Sequence, residues 1–283
     1  VAFSDDGEPI YDAGLMRRAL EWCRMLDAPI SCHEEDKSLT CGGCMNESAL
    51  SLRLGLRGMP SVGEDVMVSR DIELARYTKG RVHICHISTA RSIELVRRAK
   101  NDGFRVTCEV TPHHLTLTED RIEQYDTNAK MSPPLREAAD VAALVEGLKD
   151  GTIDAIASDH APHELDSKQK EFSEATFGIL GLQTSLSLIM GFVADKKISP
   201  MRAIDALSTG PARAFGLEAG SLAPGSPADI AVIDPQKSWS FVKEEVASLS
   251  KNSPYLGAKM LGMATEVLVG GKFVMRSGEI LNG

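Results

Sequence analysis

Asp154-Ala155-Ile156-Ala157-Ser158-Asp159-His160-Ala161-Pro162-His163 is a short apolar run that releases one carboxylate and two imidazoles into a turn stiffened by Pro162. Parallel α/β folds display chemistry in this way, because the strand fixes the side chains and the loop beyond it leaves them open to a ligand. The pattern recurs upstream. Val1-Ala2-Phe3-Ser4 runs into Asp5-Asp6-Gly7, Ala28 to Cys32 into His33-Glu34-Glu35-Asp36, and Arg81 to Cys85 into His86-Ile87-Ser88-Thr89. Arg105 to Val110 leads to Thr111-Pro112-His113-His114, and Lys130-Met131-Ser132 is stopped by Pro133-Pro134.

Helix-period segments separate these runs. Gly14 to Leu26 gathers Leu15, Ala19, Leu20, Cys23 and Leu26 on one face, and further helices are predicted around Glu47 to Leu56, Val62 to Tyr77, Thr89 (as N-cap) to Lys100 and Glu137 to Lys149. Repeated βα units predict a parallel sheet, closed as a (β/α)8 TIM barrel or open and doubly wound. No Gly-rich turn follows the first strand, which argues against a dinucleotide fold. Six such strands are legible, two short of a closed barrel.

Beyond residue 163 the pattern changes. Phe177 to Val193 and Met201 to Phe215 read as helices, and Pro224-Gly225-Ser226-Pro227 breaks the run. Ile230 to Ile233 and Glu266 to Val269 read as strands, the second joined through Gly270-Gly271 to Lys272-Phe273-Val274-Met275 as a hairpin. The expected organisation is an incomplete barrel over residues 1–220 and a small β-sandwich appendage over 221–283.

Composition narrows the function classes. The 283 residues are 43% hydrophobic, enough for a large core, and the net charge is -9. With no basic run longer than Arg97-Arg98, binding to nucleic acid or to a membrane surface by bulk charge is not expected. No run approaches the ~18 consecutive apolar residues of a membrane span. No signal peptide is legible at the start, and Val1 reads as the middle of a strand, so further sequence upstream is expected. Six cysteines are too few for a disulfide scaffold of this length, and the lone Cys41-Gly42-Gly43-Cys44 reads as two ordinary thiols. A reduced, cytoplasmic chain is the expectation.

Asp6, His33, His86 and Asp159 each stand at the C-terminal end of a predicted strand. Two imidazoles and two carboxylates suit a borderline divalent metal such as Zn²⁺. Period-2 alternation turns Cys32, Cys85 and Ser158 toward the helices and the four candidates toward one barrel mouth. Singly, each has a plainer reading: a hydrogen-bonded structural histidine, a helix cap near Gly14 for Asp6, a turn carboxylate for Asp159. Recurrence at one topological level in four units favours a metal site. His83 is expected to face away from His86 as a structural group, His160 to point back into the fold, and His163 to meet a ligand. His113 and His114 stay open between supporting and substrate-binding roles.

Phe3-Ser4-Asp5-Asp6-Gly7, Cys32-His33-Glu34-Glu35-Asp36, Cys85-His86-Ile87-Ser88-Thr89, Glu109 to His114, Met131 to Arg136 and Ser158 to His163 together resemble the bacterial class I dihydroorotases of the amidohydrolase superfamily, in family order and spacing. The likeness extends through Gly178-Ile179-Leu180-Gly181, Pro227-Ala228-Asp229-Ile230 and Asn252-Ser253-Pro254. Hydantoinases and allantoinases share the later motifs but usually carry a carboxylated lysine where this chain has Asp-Asp-Gly.

The resemblance implies a two-zinc site. Asp6 would bridge the metals, His33 and His86 would hold one, and Asp159 would ligate the other while acting as general acid/base. Ser132, His163, Phe177 and Gly178 would line the substrate pocket, with Ser132 where many members have Asn. The implied reaction is the reversible cyclisation of N-carbamoyl-L-aspartate to L-dihydroorotate in pyrimidine biosynthesis, with a homodimer or aspartate transcarbamoylase as implied partner. The family's His-x-His strand and the arginine after it have no counterpart, because the chain starts at what would be the third strand. The alternatives are a non-catalytic dihydroorotase-like subunit of an aspartate transcarbamoylase complex and another cyclic amidohydrolase.

Overall fold

A computed structural model describes residues 1–281, and its strands in chain order are β1 (Phe3–Ser4), β2 (Pro29–Cys32), β3 (Met45–Asn46), β4 (Gly58–Met59), β5 (Arg81–Ile84), β6 (Val106–Val110) and β7 (Ala155–Ile156). Five of them form one sheet in the order β1-β2-β5-β6-β7, and every pairing in it is parallel. The register sets Ser4 beside Ser31, Cys32 beside Ile84, Ile84 beside Cys108 and Val110 beside Ile156, so the C-terminal ends form one rim. Helices connect the successive strands of this sheet, which is the βα repeat of a TIM-type barrel.

Each helix follows from local sequence. Ala13–Met25 starts at Asp12, whose carboxylate accepts the Leu15 N–H, and it buries Met16, Leu20 and Cys23 at helical spacing. Ala90–Asn101 starts where Thr89 Oγ1 accepts the Ser92 N–H at 3.0 Å. Its Ile93 and Val96 join Ile84, Ile87, Val106 and Cys108 in the principal core. Each such aliphatic side chain, fully buried, is worth about 1.5–3 kcal/mol.

Two expectations from the sequence are corrected. Lys130-Met131-Ser132 is not a sixth strand but irregular chain after the turn Thr127–Ala129. Its backbone is engaged sideways, Lys130 O accepting the Gly178 N–H at 2.9 Å. The helix predicted from Phe177 begins only at Ser185 and runs to Ala194. Phe177 to Gly181 is extended: Ile179 bridges His160 and the Leu180 N–H goes to Asn252 O at 3.0 Å. Gly178, at φ 138°, takes a backbone conformation that side-chain-bearing residues rarely adopt.

The C-terminal region forms an antiparallel sheet in the order β11-β10-β9-β8, from β8 (Ile230–Ser240), β9 (Lys259–Val269), β10 (Lys272–Arg276) and β11 (Glu279–Ile280). The hairpin predicted at Gly270-Gly271 is present, both glycines having positive φ. Helix Ser185–Ala194 lies against β9 where Gly262 lets it approach, since a Cβ there would sit 2.5 Å from Met190 Cγ. Ser187 Oγ donates to Gly262 O, and Trp239 Nε1–H donates to Ser187 Oγ at 3.0 Å.

Candidate active site

The parallel ladder continues past the strand ends and fixes the rim. The Asp5 N–H reaches Ser31 O, Cys85 N–H reaches Cys32 O, Ile87 N–H reaches Glu109 O, and Ala157 N–H reaches Val110 O. Beyond these bonds the backbone turns sharply. Asp6, His86 and Asp159 have φ of 51°, 31° and 43°, so three of the four predicted ligands occupy the left-handed region that non-glycine residues seldom enter. Such conformations persist where the surrounding structure over-determines them, and they cluster at functional sites.

His33 and His86 face each other with ring centroids 4.8 Å apart. Asp5 orients His33, its Oδ2 accepting the His33 N–H at 2.9 Å and its Oδ1 lying 2.5 Å from Nδ1. The Gly7 N–H approaches the same ring nitrogen at 3.1 Å, but the shorter carboxylate contact assigns the proton to Nδ1 and leaves the Nε2 lone pair available. The Asp5 hydrogen bond also raises the His33 pKa against the opposing effect of burial.

His86 is lowered by burial, its Nδ1 buried without a hydrogen-bond partner. Asp159 is raised by burial, with the charges of His86 and His33 pulling it back. The three groups therefore share one electrostatic environment. Glu109 belongs to it too: burial pushes its pKa up, but the hydrogen bond from His83 and the charges of His83 and His86 bring it below the usual carboxylate value.

A buried network stands behind His86. Glu64 accepts the N–H groups of Ser88 and Thr89 at 2.9 and 3.1 Å, and Ser88 Oγ also donates to it. Arg136, 3% exposed, donates to Ser88 Oγ, Asn46 Oδ1 and Met59 O, with Nη2 3.7 Å from Glu64. His83 is structural, its Nδ1 2.8 Å from Thr107 Oγ1 and its Nε2 3.1 Å from Glu109. His114 is buried between Thr111 Oγ1 and Pro133 O, which burial reinforces by lowering its pKa to about 3.

His163 and Gly178 are neighbours, since a Cβ on Gly178 would fall 2.7 Å from His163 Nε2. Asn252 clamps them: Oδ1 accepts the His163 N–H, while Nδ2–H donates to Ala161 O and Gly178 O. Lys168 Nζ also donates to Gly178 O, and Lys130 Nζ sits 4.5 Å from the centroid of the Phe177 ring. His160 points back as expected, Nδ1 accepting from the Gly181 and Leu182 N–H groups. Ser132 is half-buried at the loop before Pro133.

His33, His86 and Asp159 are thus brought together, whereas Asp6 is exposed at the same rim and its neighbour Asp5 makes the contact to His33. Two imidazoles, one pinned by a carboxylate and one with a buried unpartnered nitrogen, beside a carboxylate, fit a divalent cation. The rim donors are more widely spaced than a closed site: among the described residues, the only trio of potential ligand atoms mutually within 4.8 Å is Cys32, Glu34 and Asp71. Sequence reading missed Asp5, Glu64, Glu109, Arg136 and Asn252 as site groups. The paired acids of Asp5-Asp6 were the one local signal, while the others depend on tertiary contact.

The amidohydrolase family model matches residues 1–274. Curated dihydroorotases from Geotalea daltonii and Pelotomaculum thermopropionicum are each 49% identical to the chain, over 97% and 98% of it respectively. The chain spans 64% and 65% of the length of these relatives. Among solved structures, an L-hydantoinase from Arthrobacter aurescens superposes with a TM-score of 0.87 at 27% identity, covering 99% of this chain and 64% of the other. A dihydropyrimidinase from Brevibacillus agri superposes at 0.85 and 24% identity, with the same coverage.

Proposed function

The chain belongs to the amidohydrolase family, with that family's barrel-type α/β fold, and from that premise we propose that it carries the catalytic rim of a dihydroorotase, interconverting N-carbamoyl-L-aspartate and L-dihydroorotate. The observation that carries the reading is the meeting of His33, His86 and Asp159 at one strand-end rim, two of the three on left-handed backbone. Similarity to dihydroorotases over nearly the whole chain supports dihydroorotate as the substrate within the family. The Asp5-Asp6 pair, where hydantoinases usually have a carboxylated lysine, supports the same choice.

Zinc is the metal that the donor set favours: His33 Nε2 and His86 would hold one ion, Asp159 would ligate a second, and Asp6 stands within the same rim as a further carboxylate. When bound, a divalent cation acidifies water and polarises a ring amide carbonyl. The protein's own part is positional. Asp5 presents His33, and the Glu64–Arg136 network fixes the loop that carries His86. Asp159 accepts a proton on one side of the reaction and returns it to the ring nitrogen that leaves, as general acid/base. His163, held through Asn252 beside Gly178, contacts the substrate carboxylate or ring, and Ser132 and Phe177 complete the pocket.

The small molecules named in this reading make the cytoplasm its compartment, and six free cysteines accord with a reducing one. Among the described residues, no helix is long and apolar enough to cross a membrane. The test is turnover of dihydroorotate by the metal-replete protein, alongside hydantoin and allantoin. Preference for dihydroorotate supports the reading; preference for either other ring identifies a different cyclic amidohydrolase. Turnover that appears only on adding aspartate transcarbamoylase would assign the chain to a complex with that enzyme.

A further inference from the structure

Cys32, Glu34 and Asp71 offer three ligand atoms that lie within 4.8 Å of one another, and all three residues are buried. Cys32 is the last residue of β2, and Glu34 follows two positions on, so alternation sends both side chains away from His33, which lies between them. Asp71 comes from helix Val62–Thr78, which places the cluster between sheet and helix and not at the rim. Both carboxylate oxygens of Glu34 are buried without a hydrogen-bond partner, although the residue is only 4% exposed. A buried carboxylate is ordinarily paired, hydrogen-bonded or metal-bound. Arg70 does not supply the missing partner: its Nε donates to Asp71 at 2.7 Å, Nη1 donates to Tyr11 O, and Nη2 is itself unpartnered.

We infer that Cys32, Glu34 and Asp71 form a second, structural site for a thiophilic divalent cation of the zinc type, separate from the rim. One thiolate and two carboxylates carry three negative charges; Arg70 and a divalent cation supply three positive ones, so the filled pocket is electrically neutral. Binding forms a sulfur–metal bond and releases the thiol proton to solvent, with no change of oxidation state. A sulfur ligand among oxygens favours zinc, cobalt or cadmium over magnesium or calcium. The inference is independent of the reaction assigned to the rim, whose proposed ligands include no sulfur.

That difference supplies the test. The purified chain is stripped with a chelator and titrated with cobalt(II), and the near-ultraviolet thiolate-to-cobalt charge-transfer band is followed together with metal content. The expected result is a band that saturates with one equivalent of cobalt, is lost in Cys32→Ser, and is lost or much weakened in Glu34→Gln, which keeps the thiol. Each variant should hold one equivalent fewer than the parent, and an unchanged circular dichroism spectrum reports that it is folded. Absence of the band in the parent protein, or its survival in Cys32→Ser, would overturn the site.

Discussion

Asp5 grips His33 at two atoms, the backbone N–H at 2.9 Å and ring Nδ1 at 2.5 Å, so one carboxylate sets both the position and the tautomer of the imidazole. A carboxylate behind a metal-binding histidine makes it a better ligand, and removing such a partner typically costs about 10–100-fold in metal affinity. Asp5→Asn is therefore expected to weaken metal retention at the rim by that order with the fold intact. Equilibrium dialysis against buffered zinc measures it, and circular dichroism checks the fold. An unchanged affinity would mean that Asp5 serves only the backbone.

Arg136 supports the opposite side of the rim from within the protein. Arg136→Met leaves Glu64 and Asn46 buried without their cation, and breaking a buried charged pair in this way costs about 3–5 kcal/mol. Urea unfolding should show a loss of that order. The loop from His86 to Thr89 should loosen with it, seen as faster amide exchange at Ser88 and Thr89, whose N–H groups bind Glu64.

Lys168 gives a pH signature. Burial lowers its pKa to about 8, while its Nζ donates to Thr176 O and Gly178 O. An unfolded lysine titrates near 10.4. Between roughly pH 8 and 10.4 the unfolded chain binds more protons at this residue than the folded one, so this group's contribution to stability rises with pH. Lys168→Met removes that rise. The difference in urea midpoint between parent and variant, followed from pH 7 to 10.5, should therefore move in favour of the parent as pH increases.

Gly178 has no room for a side chain. Gly178→Ala places a methyl group 2.7 Å from His163 Nε2 on backbone at φ 138°, a conformation whose strain for a non-glycine residue is about 1–3 kcal/mol. The variant should lose stability of that order and, if His163 contacts the substrate as proposed, its displacement should raise KM for dihydroorotate more than it lowers kcat.

What the sequence revealed and concealed follows from how local each signal is. The strands before Asp6, His33, His86 and Asp159 are short apolar runs ending in polar groups, and all of them pair in the parallel sheet. Lys130-Met131-Ser132 has the same local look, yet Lys130 spends its side chain on Phe172 O and Ser173 O and its carbonyl on Gly178, contacts more than forty residues away in sequence. Phe177 to Gly181 has helical apolar content, but His160 and Asn252 draw its backbone into an extended path. Asp5 and Asp6 are adjacent acids, and only the parallel register of β1 on β2 shows that Asp5 is the one bonded to His33. Arg136 and Glu64 are remote in sequence and meet behind Ser88.

Asp159 is the proposed proton shuttle of the rim, and Asp159→Asn removes its titratable proton while keeping its shape. General acid/base groups typically contribute 10²–10⁴-fold in rate. In the metal-replete protein the variant should keep its fold and the metal held by His33 and His86 while kcat for dihydroorotate ring opening falls by about that factor. Turnover at the parent rate in a folded, metal-bearing Asp159→Asn protein would exclude Asp159 as the general acid/base.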